Sequence, residues 1–279
     1  MEQGLTAGVD LGSSTVKMVV LDGPSVVKEA VENATQRPAE TAMRLLDEVP
    51  PCPVVATGYG RDLLEVHHNI PTITEIKAHA LGARQHVPGC MTVIDVGGQD
   101  LKVICLDAAG KVCRFEMNDR CAAGTGKFLE IMAHRLGYPL SSFGEAALAG
   151  SDTLSISAMC TVFAESEVVG LINRDVDRST IARALHQSVV KRIAAMFKRT
   201  DPPTGTLVVT GGGALNPGLI RLLQDTLGIP VQAAPGPQTA GALGCAIHAR
   251  RLAASGYFGS CQDTVILRQD PQRTIGGAE

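Results

Sequence analysis

The sequence predicts an α/β protein built from two similar lobes with a cleft between them. The main observation is an internal repeat, in which residues 10–22 align without a gap with residues 95–107. A second observation is a strand-like apolar segment that leads directly into three consecutive glycines, Gly211, Gly212 and Gly213. Helical and strand-like periodicities also alternate along the chain, as in proteins that pack helices against sheets. A repeat of this size indicates two copies of one structural unit.

Composition limits the class of protein. With 279 residues and 45% hydrophobic residues, the chain can fill one large core or two ordinary ones. The net charge of −3 and the lack of a basic stripe with interleaved aromatic residues argue against nucleic-acid binding. We find no signal peptide and no stretch with the apolar length of a spanning helix. We therefore expect a cytoplasmic protein that binds no membrane, with eight cysteines that are reduced thiols or metal ligands.

The first element is a predicted hairpin. A strand over residues 5–10 breaks at 11–15 and resumes over 16–21. Glycine and hydroxyl residues between two strands offer N–H and O–H groups that can wrap a phosphate. The candidates for this binding are Gly12, Ser13, Ser14, Thr15 and Lys17. For one hairpin alone, an ordinary turn is the simpler interpretation.

The internal repeat strengthens this interpretation, because a second hairpin carries the same residues. The aligned pairs are Asp10 with Asp95, Gly12 with Gly97, and Lys17 with Lys102. Two Asp-x-Gly hairpins that face each other across a cleft can hold a polyphosphate and its Mg²⁺. The pair therefore predicts a phosphate site between the lobes.

Helices and a strand are predicted between and after the hairpins. Residues 39–49 and 72–84 have helical patterns, with Thr74 as the cap of the second helix. Glu75, at its start, has two interpretations: it satisfies the helix dipole, or it points into the cleft. Further on, residues 141–152 indicate a polar connection, and residues 180–198 a long helix.

Two cysteines stand before predicted helices. Cys121 immediately precedes a helix whose apolar spacing begins at Phe128, and Cys160 precedes a second one. A helix N-terminus carries roughly half a positive charge, which favours a thiolate over a thiol. Both are therefore candidate metal ligands or nucleophiles, and the alternative is a pair of buried structural cysteines.

The three glycines follow a predicted strand at residues 206–210. Glycines at this position let the backbone approach a ligand closely, with Asn216 nearby. Residues 237–248 then form a predicted helix of small residues.

The order of the two hairpins and the glycine loop resembles the acetate kinase, sugar kinase, Hsp70 and actin superfamily. Within it, four segments are similar to the activator component of 2-hydroxyacyl-CoA dehydratases, in a family that includes ATPase subunits of benzoyl-CoA reductase. These segments are residues 56–61, 93–100, 118–126 and 160–167. The resemblance runs from about Val9 to His248, which is nearly the whole chain.

This resemblance implies a two-lobed actin-like ATPase fold with duplicated ribonuclease H-like lobes and a nucleotide cleft between them. We expect lobe I at residues 1–88, with a helix near 238–255 returning to it, lobe II at 89–237, and a polar tail at 256–279. It also implies an oxygen-sensitive homodimer with one [4Fe-4S] cluster, ligated by Cys121 and Cys160 of both chains. A cluster takes four thiolates, and a two-fold axis turns two cysteines into four.

For the nucleotide, the resemblance implies ATP or ADP with Mg²⁺, which Asp10 and Asp95 hold through water. Gln99 joins these two aspartates as a catalytic candidate. The residues expected around the phosphates and adenosine are Gly12, Ser13, Ser14, Thr15, Lys17, Gly97, Gly98, Gly211, Gly212, Gly213 and Asn216. The implied function is ATP-driven transfer of one low-potential electron from a reduced ferredoxin or flavodoxin to a partner dehydratase or related reductase.

Two alternatives remain open at this point. One is a small-molecule kinase of the same superfamily, with Asp100 or Glu165 as the base for a phosphoryl acceptor. The other is a regulatory ATPase that uses nucleotide state only to select a partner. Neither alternative requires both Cys121 and Cys160.

Overall fold

The computed structural model describes residues 4–34, 36–156 and 160–258, and it contains two β-sheets. The first sheet has four strands in the order β3-β2-β1-β4. These strands are β1 (Leu5–Leu11), β2 (Thr15–Asp22), β3 (Ser25–Asn33) and β4 (Val54–Thr57). The second sheet has five, in the order β7-β6-β5-β8-β9. They are β5 (Cys90–Val96), β6 (Leu101–Leu106), β7 (Val112–Asn118), β8 (Thr206–Thr210) and β9 (Val231–Ala233).

Both sheets are built in the same way. An antiparallel hairpin is followed by a third antiparallel strand on one side, and a parallel strand lies on the other. We call β1–β2 hairpin I and β5–β6 hairpin II. The predicted duplicated α/β architecture is thereby confirmed.

Helices cover the sheets. In the first half of the chain they are α1 (Pro38–Asp47), α2 (Arg61–His68) and α3 (Glu75–His86). The remaining helices are α4 (Gly126–Leu136), α5 (Leu140–Ala149), α6 (Thr161–Ile172), α7 (Arg178–Thr200), α8 (Pro217–Leu227) and α9 (Ala240–Ala254). In the described part of the chain, no helix combines the length and the apolar character needed to cross a membrane.

Two crossing helices join the sheets. Helix α3 packs against the second sheet through Ala80 and Ala83, and α9 packs against the first through Ala242 and Leu243. The helices also touch each other so closely that a methyl group on Gly244 would lie 1.8 Å from a carbonyl oxygen of α3. Any movement of one sheet relative to the other must therefore act through this helix pair.

The larger core lies under the second sheet, where α4, α5 and α7 pack. Phe128, Phe143 and Ile193 are buried there, and each such side chain contributes roughly 1.5–3 kcal/mol by leaving water. A smaller core under the first sheet includes Met18 and Leu45. Each sheet therefore packs on its own hydrophobic core.

The structure corrects two details of the sequence analysis. Residues 141–152 are not mainly a polar connection, because α5 occupies Leu140–Ala149 and buries Phe143 and Ala147 at helical spacing. Helix α4 begins at Gly126, so a turn separates it from Cys121. The predicted cap of α3 is confirmed, since Thr74 Oγ1 accepts a hydrogen bond of 3.3 Å from Lys77 N. Most of the predicted tail at 256–279 lies outside the described residues.

Candidate functional site

A cavity of about 660 Å³ lies between the two hairpins. It brings together residues that are far apart in the sequence. Those expected at a nucleotide site that line it are Asp10, Gly12, Ser13, Ser14, Thr15, Lys17, Asp95, Gly97, Gly98, Gln99, Gly211, Gly212, Gly213 and Asn216. The cavity therefore has the position that the repeat predicts, while the role of each residue stays a prediction.

The two hairpins place an aspartate and a lysine in the same register. Asp10 is paired across the strands with Lys17, and Asp95 with Lys102. Lys17 Nζ lies 3.0 Å from Asp10 Oδ2, and Lys102 Nζ lies 3.2 Å from Asp95 Oδ2. Both aspartates are buried, so each carboxylate depends on its local partners for stabilisation.

Each half of the repeat also contains a Thr-Gly pair, Thr57-Gly58 or Thr210-Gly211, and this match was not predicted from the sequence. It follows the parallel strand beside each hairpin, with Gly58 at a φ of 102° and Gly211 at 81°. A Cβ on Gly58 would approach Asp10 Oδ1 to 2.7 Å, and one on Gly211 would approach Asp95 Oδ1 to the same distance. Both glycines therefore supply a left-handed backbone and leave room for the carboxylate. The recurrence of Thr-Gly after a buried strand was the available signal.

Asp95 is held from several directions. Thr210 Oγ1 donates to Asp95 Oδ1 at 3.0 Å, and His79 Nδ1 lies 3.3 Å from the same oxygen. Burial alone would raise the pKa of Asp95, but His79, Lys102 and the Thr210 hydrogen bond lower it to about 2. Asp95 is therefore an anion over the whole physiological pH range. His79 reaches this site from α3, and no sequence motif indicated that it would lie beside Asp95.

Lys102 is the centre of a buried charge cluster. Its Nζ lies 2.8 Å from Glu75, 3.2 Å from Asp95 and 2.6 Å from Asp100. Burial would lower the pKa of Lys102, but the three carboxylates raise it above its ordinary value. One ammonium facing three carboxyl groups leaves an excess of negative charge, which favours a cation in the cavity.

The two interpretations of Glu75 can now be separated. Its side chain lines the cavity and pairs with Lys102. Burial raises the pKa of Glu75, against the opposing effect of Lys102. Glu75 therefore points into the cleft.

Asn216 lines the cavity, but its side chain has structural partners. Its Oδ1 accepts a 2.9 Å hydrogen bond from Leu219 N, which caps α8, and its Nδ2 lies 2.9 Å from His186 Nε2. His186 Nδ1 donates to Ala182 O at 2.8 Å, so the neutral tautomer carries its proton on Nδ1. Burial lowers the pKa of His186 to about 4. Asn216 thus connects the cavity wall to the core beneath it.

Apolar side chains surround part of the cavity. Tyr59, Leu140 and Leu215 line it and are exposed to solvent. Such side chains offer contact area to a flat ring system.

The residues that the kinase alternative requires are engaged elsewhere. Asp100 lies at the cavity, but its carboxylate pairs with Lys102 at 2.6 Å. Glu165 lies on α6 and pairs with Arg135 of α4. Neither carboxylate is thus available as an unpaired base.

The two cysteines lie in separate segments outside the cavity lining. Cys121 is partly buried against the larger core, and Asn118 Nδ2 donates to its carbonyl oxygen at 3.2 Å. Cys160 is exposed at the N-cap of α6, beside Val162 and Phe163, which are 67% and 70% exposed. Within the described ranges, no group of three or more His, Cys, Asp or Glu side chains is arranged to hold a metal ion.

Comparison with known proteins gives a consistent result. The chain matches the BadF/BadG/BcrA/BcrD ATPase family over residues 7–249. It is 41% identical over 257 residues to the activator of lactoyl-CoA dehydratase from Anaerotignum propionicum. That similarity covers 89% of this chain and 98% of the relative.

Two solved structures share the fold. Component A of the (R)-2-hydroxyglutaryl-CoA dehydratase from Acidaminococcus fermentans is 37% identical, with a TM-score of 0.83 and coverage of 90% of this chain and 99% of its own. The activator of the 2-hydroxyisocaproyl-CoA dehydratase from Clostridium difficile, with bound ADPNP, is 33% identical. Its TM-score is also 0.83, and the coverage is 91% of this chain and 97% of its own.

Proposed function

The chain belongs to the BadF/BadG/BcrA/BcrD ATPase family, and from this premise we propose that it is the ATP-hydrolysing activator of a 2-hydroxyacyl-CoA dehydratase or a related reductase. One electron leaves a reduced ferredoxin or flavodoxin and reaches the dehydratase, and ATP is converted with water to ADP and phosphate. The ATPase part of this proposal rests on a single observation: two hairpins, each with a paired aspartate and lysine, line the same cavity. The activator part of the proposal is supported by relatives that are named as activators of dehydratases.

The cavity fits a magnesium nucleotide. Asp10 and Asp95 are buried carboxylates at the same cavity, and oxygen ligands of this kind suit Mg²⁺. We assign the metal to these two residues and the phosphates to the turns of both hairpins. The adenosine would lie beside the glycines at 211–213.

Hydrolysis needs a group that orients water at the terminal phosphate. Glu75 lines the cavity, and its carboxylate oxygens can accept a hydrogen bond from such a water. Lys102 keeps this carboxylate in place at 2.8 Å. Gln99 lies in the same lining and keeps the catalytic role proposed for it.

The cysteines fit one half of a [4Fe-4S] site. Such a cluster takes four thiolates, and one chain offers Cys121 and Cys160, so two copies related by a two-fold axis would complete the set. The exposed Val162 and Phe163 beside Cys160 suit contact with a second copy. When bound, the cluster supplies one-electron chemistry.

Coupling requires that the two nucleotide states favour different conformations of the chain. ATP and ADP must differ in affinity for these conformations, since equal affinity shifts no equilibrium. The crossing helices α3 and α9 are the elements that such a change must move, because they pack between the two sheets.

The test is an iron and sulfide assay on protein purified without oxygen, together with its mass in solution. We expect about four irons per pair of chains, the number that four thiolates support. Cys121→Ser and Cys160→Ser should each lose the iron. Cys113→Ser is the matched control, because Cys113 is also exposed but lies on β7.

Iron-free protein that still hydrolyses ATP would contradict the electron-transfer proposal. It would favour the regulatory ATPase, whose nucleotide state only selects a partner.

A further inference from the structure

The start of α4 is attached to hairpin II by its main chain. Gly126 N donates to Gly97 O at 2.9 Å, and Lys127 N donates to Gly98 O at 2.8 Å. The first amides of a helix have no acceptor within the helix, and the Thr125 side chain does not cap this one. The turn of hairpin II therefore supplies the acceptors that hold the helix end.

The segment between α4 and Cys121 is also held by hydrogen bonds. Thr125 is fully buried, and both its N–H and its hydroxyl donate to Ala122 O, at 3.0 and 2.6 Å. Asn118 Nδ2 donates to the carbonyl oxygen of Cys121 itself. A shift of the α4 end is therefore passed along a short, bonded segment to Cys121.

The same turn of hairpin II meets hairpin I. A Cβ on Gly98 would lie 2.3 Å from Ser14 Oγ, and both residues line the cavity. Phosphates that enter between the hairpins must act on this contact.

Peptide planarity connects the two sides of the turn. The carbonyl of Gly97 and the N–H of Gly98 belong to one rigid peptide unit, as do the carbonyl of Gly98 and the N–H of Gln99. A phosphate that reorients either N–H must turn the attached carbonyl, which is an acceptor for α4.

We propose that Gly126 is a positioning residue that makes the position of Cys121 depend on the phosphates in the cavity. The inference rests on the proposed function, in which ATP occupies the cleft. A Cβ at this position would lie 3.0 Å from Gly97 O, so a side chain here requires the turn of hairpin II to shift slightly. Helix α6, which follows Cys160, contacts α4 through the partly exposed Arg135–Glu165 pair and packs in the same core through Ala164 and Val168.

Two substitutions test the link in the full-length protein. Gly126→Pro removes the N–H donor at the first helical position, where proline is best tolerated. The preceding Thr125, at φ −112° and ψ 171°, already has a conformation that proline allows. Gly126→Ala keeps the N–H donor and only brings a methyl group close to Gly97 O. Gly89→Ala is the control, since its Cβ would lie 3.8 Å from Thr206 Oγ1.

The measurement is hydrogen–deuterium exchange of residues 119–130 with ADP and with a non-hydrolysable ATP analogue, beside the Kd for each nucleotide. In the unsubstituted protein and Gly89→Ala, we expect exchange rates to differ between the two states by on the order of threefold or more. Because Gly126 also lines the cavity, exchange is compared at nucleotide concentrations that saturate each variant according to its own Kd. Gly126→Pro should then lose the difference, and Gly126→Ala should reduce it.

Two results would overturn the inference: no nucleotide-dependent difference in the unsubstituted protein, or the full difference in Gly126→Pro. The readout does not depend on iron. A clear difference in iron-free protein would therefore keep this inference and reject the electron-transfer proposal.

Discussion

Hairpins I and II have nearly the same backbone and very different surroundings. Both pair an aspartate with a lysine, and both close their turn with a glycine N–H, bonded to Thr15 O at 3.1 Å in hairpin I and to Asp100 O at 3.0 Å in hairpin II. Lys17 pairs with Asp10 alone among the described acidic residues, whereas Lys102 pairs with three carboxylates. The repeat therefore fixes the position of each aspartate but not its electrostatic environment.

This difference indicates a division of roles. Asp95 is surrounded by Thr210, His79 and Lys102, so hairpin II is a rigid charged framework. Asp10 has one ion-pair partner among the described residues, Lys17, and lies near the start of α9, where a Cβ on Gly241 would lie 3.2 Å from its Oδ2. The Asp10 carboxylate thus has fewer charged partners than Asp95, and hairpin II has the main-chain hydrogen bonds to α4.

The largest expected difference between the two hairpins is in how much each lysine contributes to the free energy of unfolding. Lys102→Met leaves the buried Asp95 and the partly buried Glu75 and Asp100 without their cation and should lower the free energy of unfolding by about 3–5 kcal/mol. Lys17→Met leaves one buried carboxylate, Asp10, without its cation and should cost less, about 1.5–3 kcal/mol. Urea unfolding at neutral pH measures both. Equal losses would show that the two hairpins are electrostatically equivalent.

The core beneath hairpin II should be sensitive to acid. The pKa of His186 is about 4 in the folded chain and 6.5 ordinarily, so the unfolded chain binds the proton more readily between these values. Stability is therefore complete above pH 6.5 and falls by about 3 kcal/mol as the pH drops to about 4.

Urea unfolding at several pH values in this range checks the expectation. His186→Gln keeps an acceptor for Asn216 but does not titrate, so its stability should change less with pH. An unchanged pH dependence in this variant would assign the acid sensitivity to another group.

Substitution of the two aspartates should affect ATP hydrolysis and thermal stability to different extents. Asp10→Asn should reduce kcat for ATP hydrolysis by about a hundredfold, because metal-held charge stabilisation is worth several kcal/mol, and should lower Tm less than Asp95→Asn because Lys17 is the one cation paired with Asp10 among the described residues. Asp95→Asn should lose activity and also lower Tm, since Lys102 and His79 lose a buried partner. Steady-state kinetics and thermal unfolding distinguish the two. The opposite pattern would reverse the division of roles.

The smallest effect concerns the two matched threonines. Thr210→Val removes a hydrogen bond to the charged Asp95 and should cost about 1.5–3 kcal/mol. Thr57 donates to the carbonyl of Ile73 instead, so Thr57→Val should cost about 0.5–1.5 kcal/mol. Unfolding measurements on the pair test the ranking, which an equal or reversed cost would contradict.

The sequence predicts the parts of this site that follow from local pattern. The aligned hairpins correctly indicate one cavity, because both aspartates lie at matched positions of a repeated unit. The side chains of Glu75 and His79 could not be placed, since they reach the cavity only through the packing of α3 between the sheets. Helix α5 was missed because its serines and glycine resemble a loop, while its burial depends on α7 and α8.

We propose that the nucleotide in the cleft acts on a metal centre held by Cys121 and Cys160. The most direct measurement is the EPR spectrum of the dithionite-reduced protein, recorded without nucleotide, with ADP and with a non-hydrolysable ATP analogue. We predict the signal of one iron-sulfur cluster per pair of chains, with a line shape that changes when the ATP analogue replaces ADP. A reduced protein with no cluster signal, or with a spectrum indifferent to nucleotide, would contradict this account.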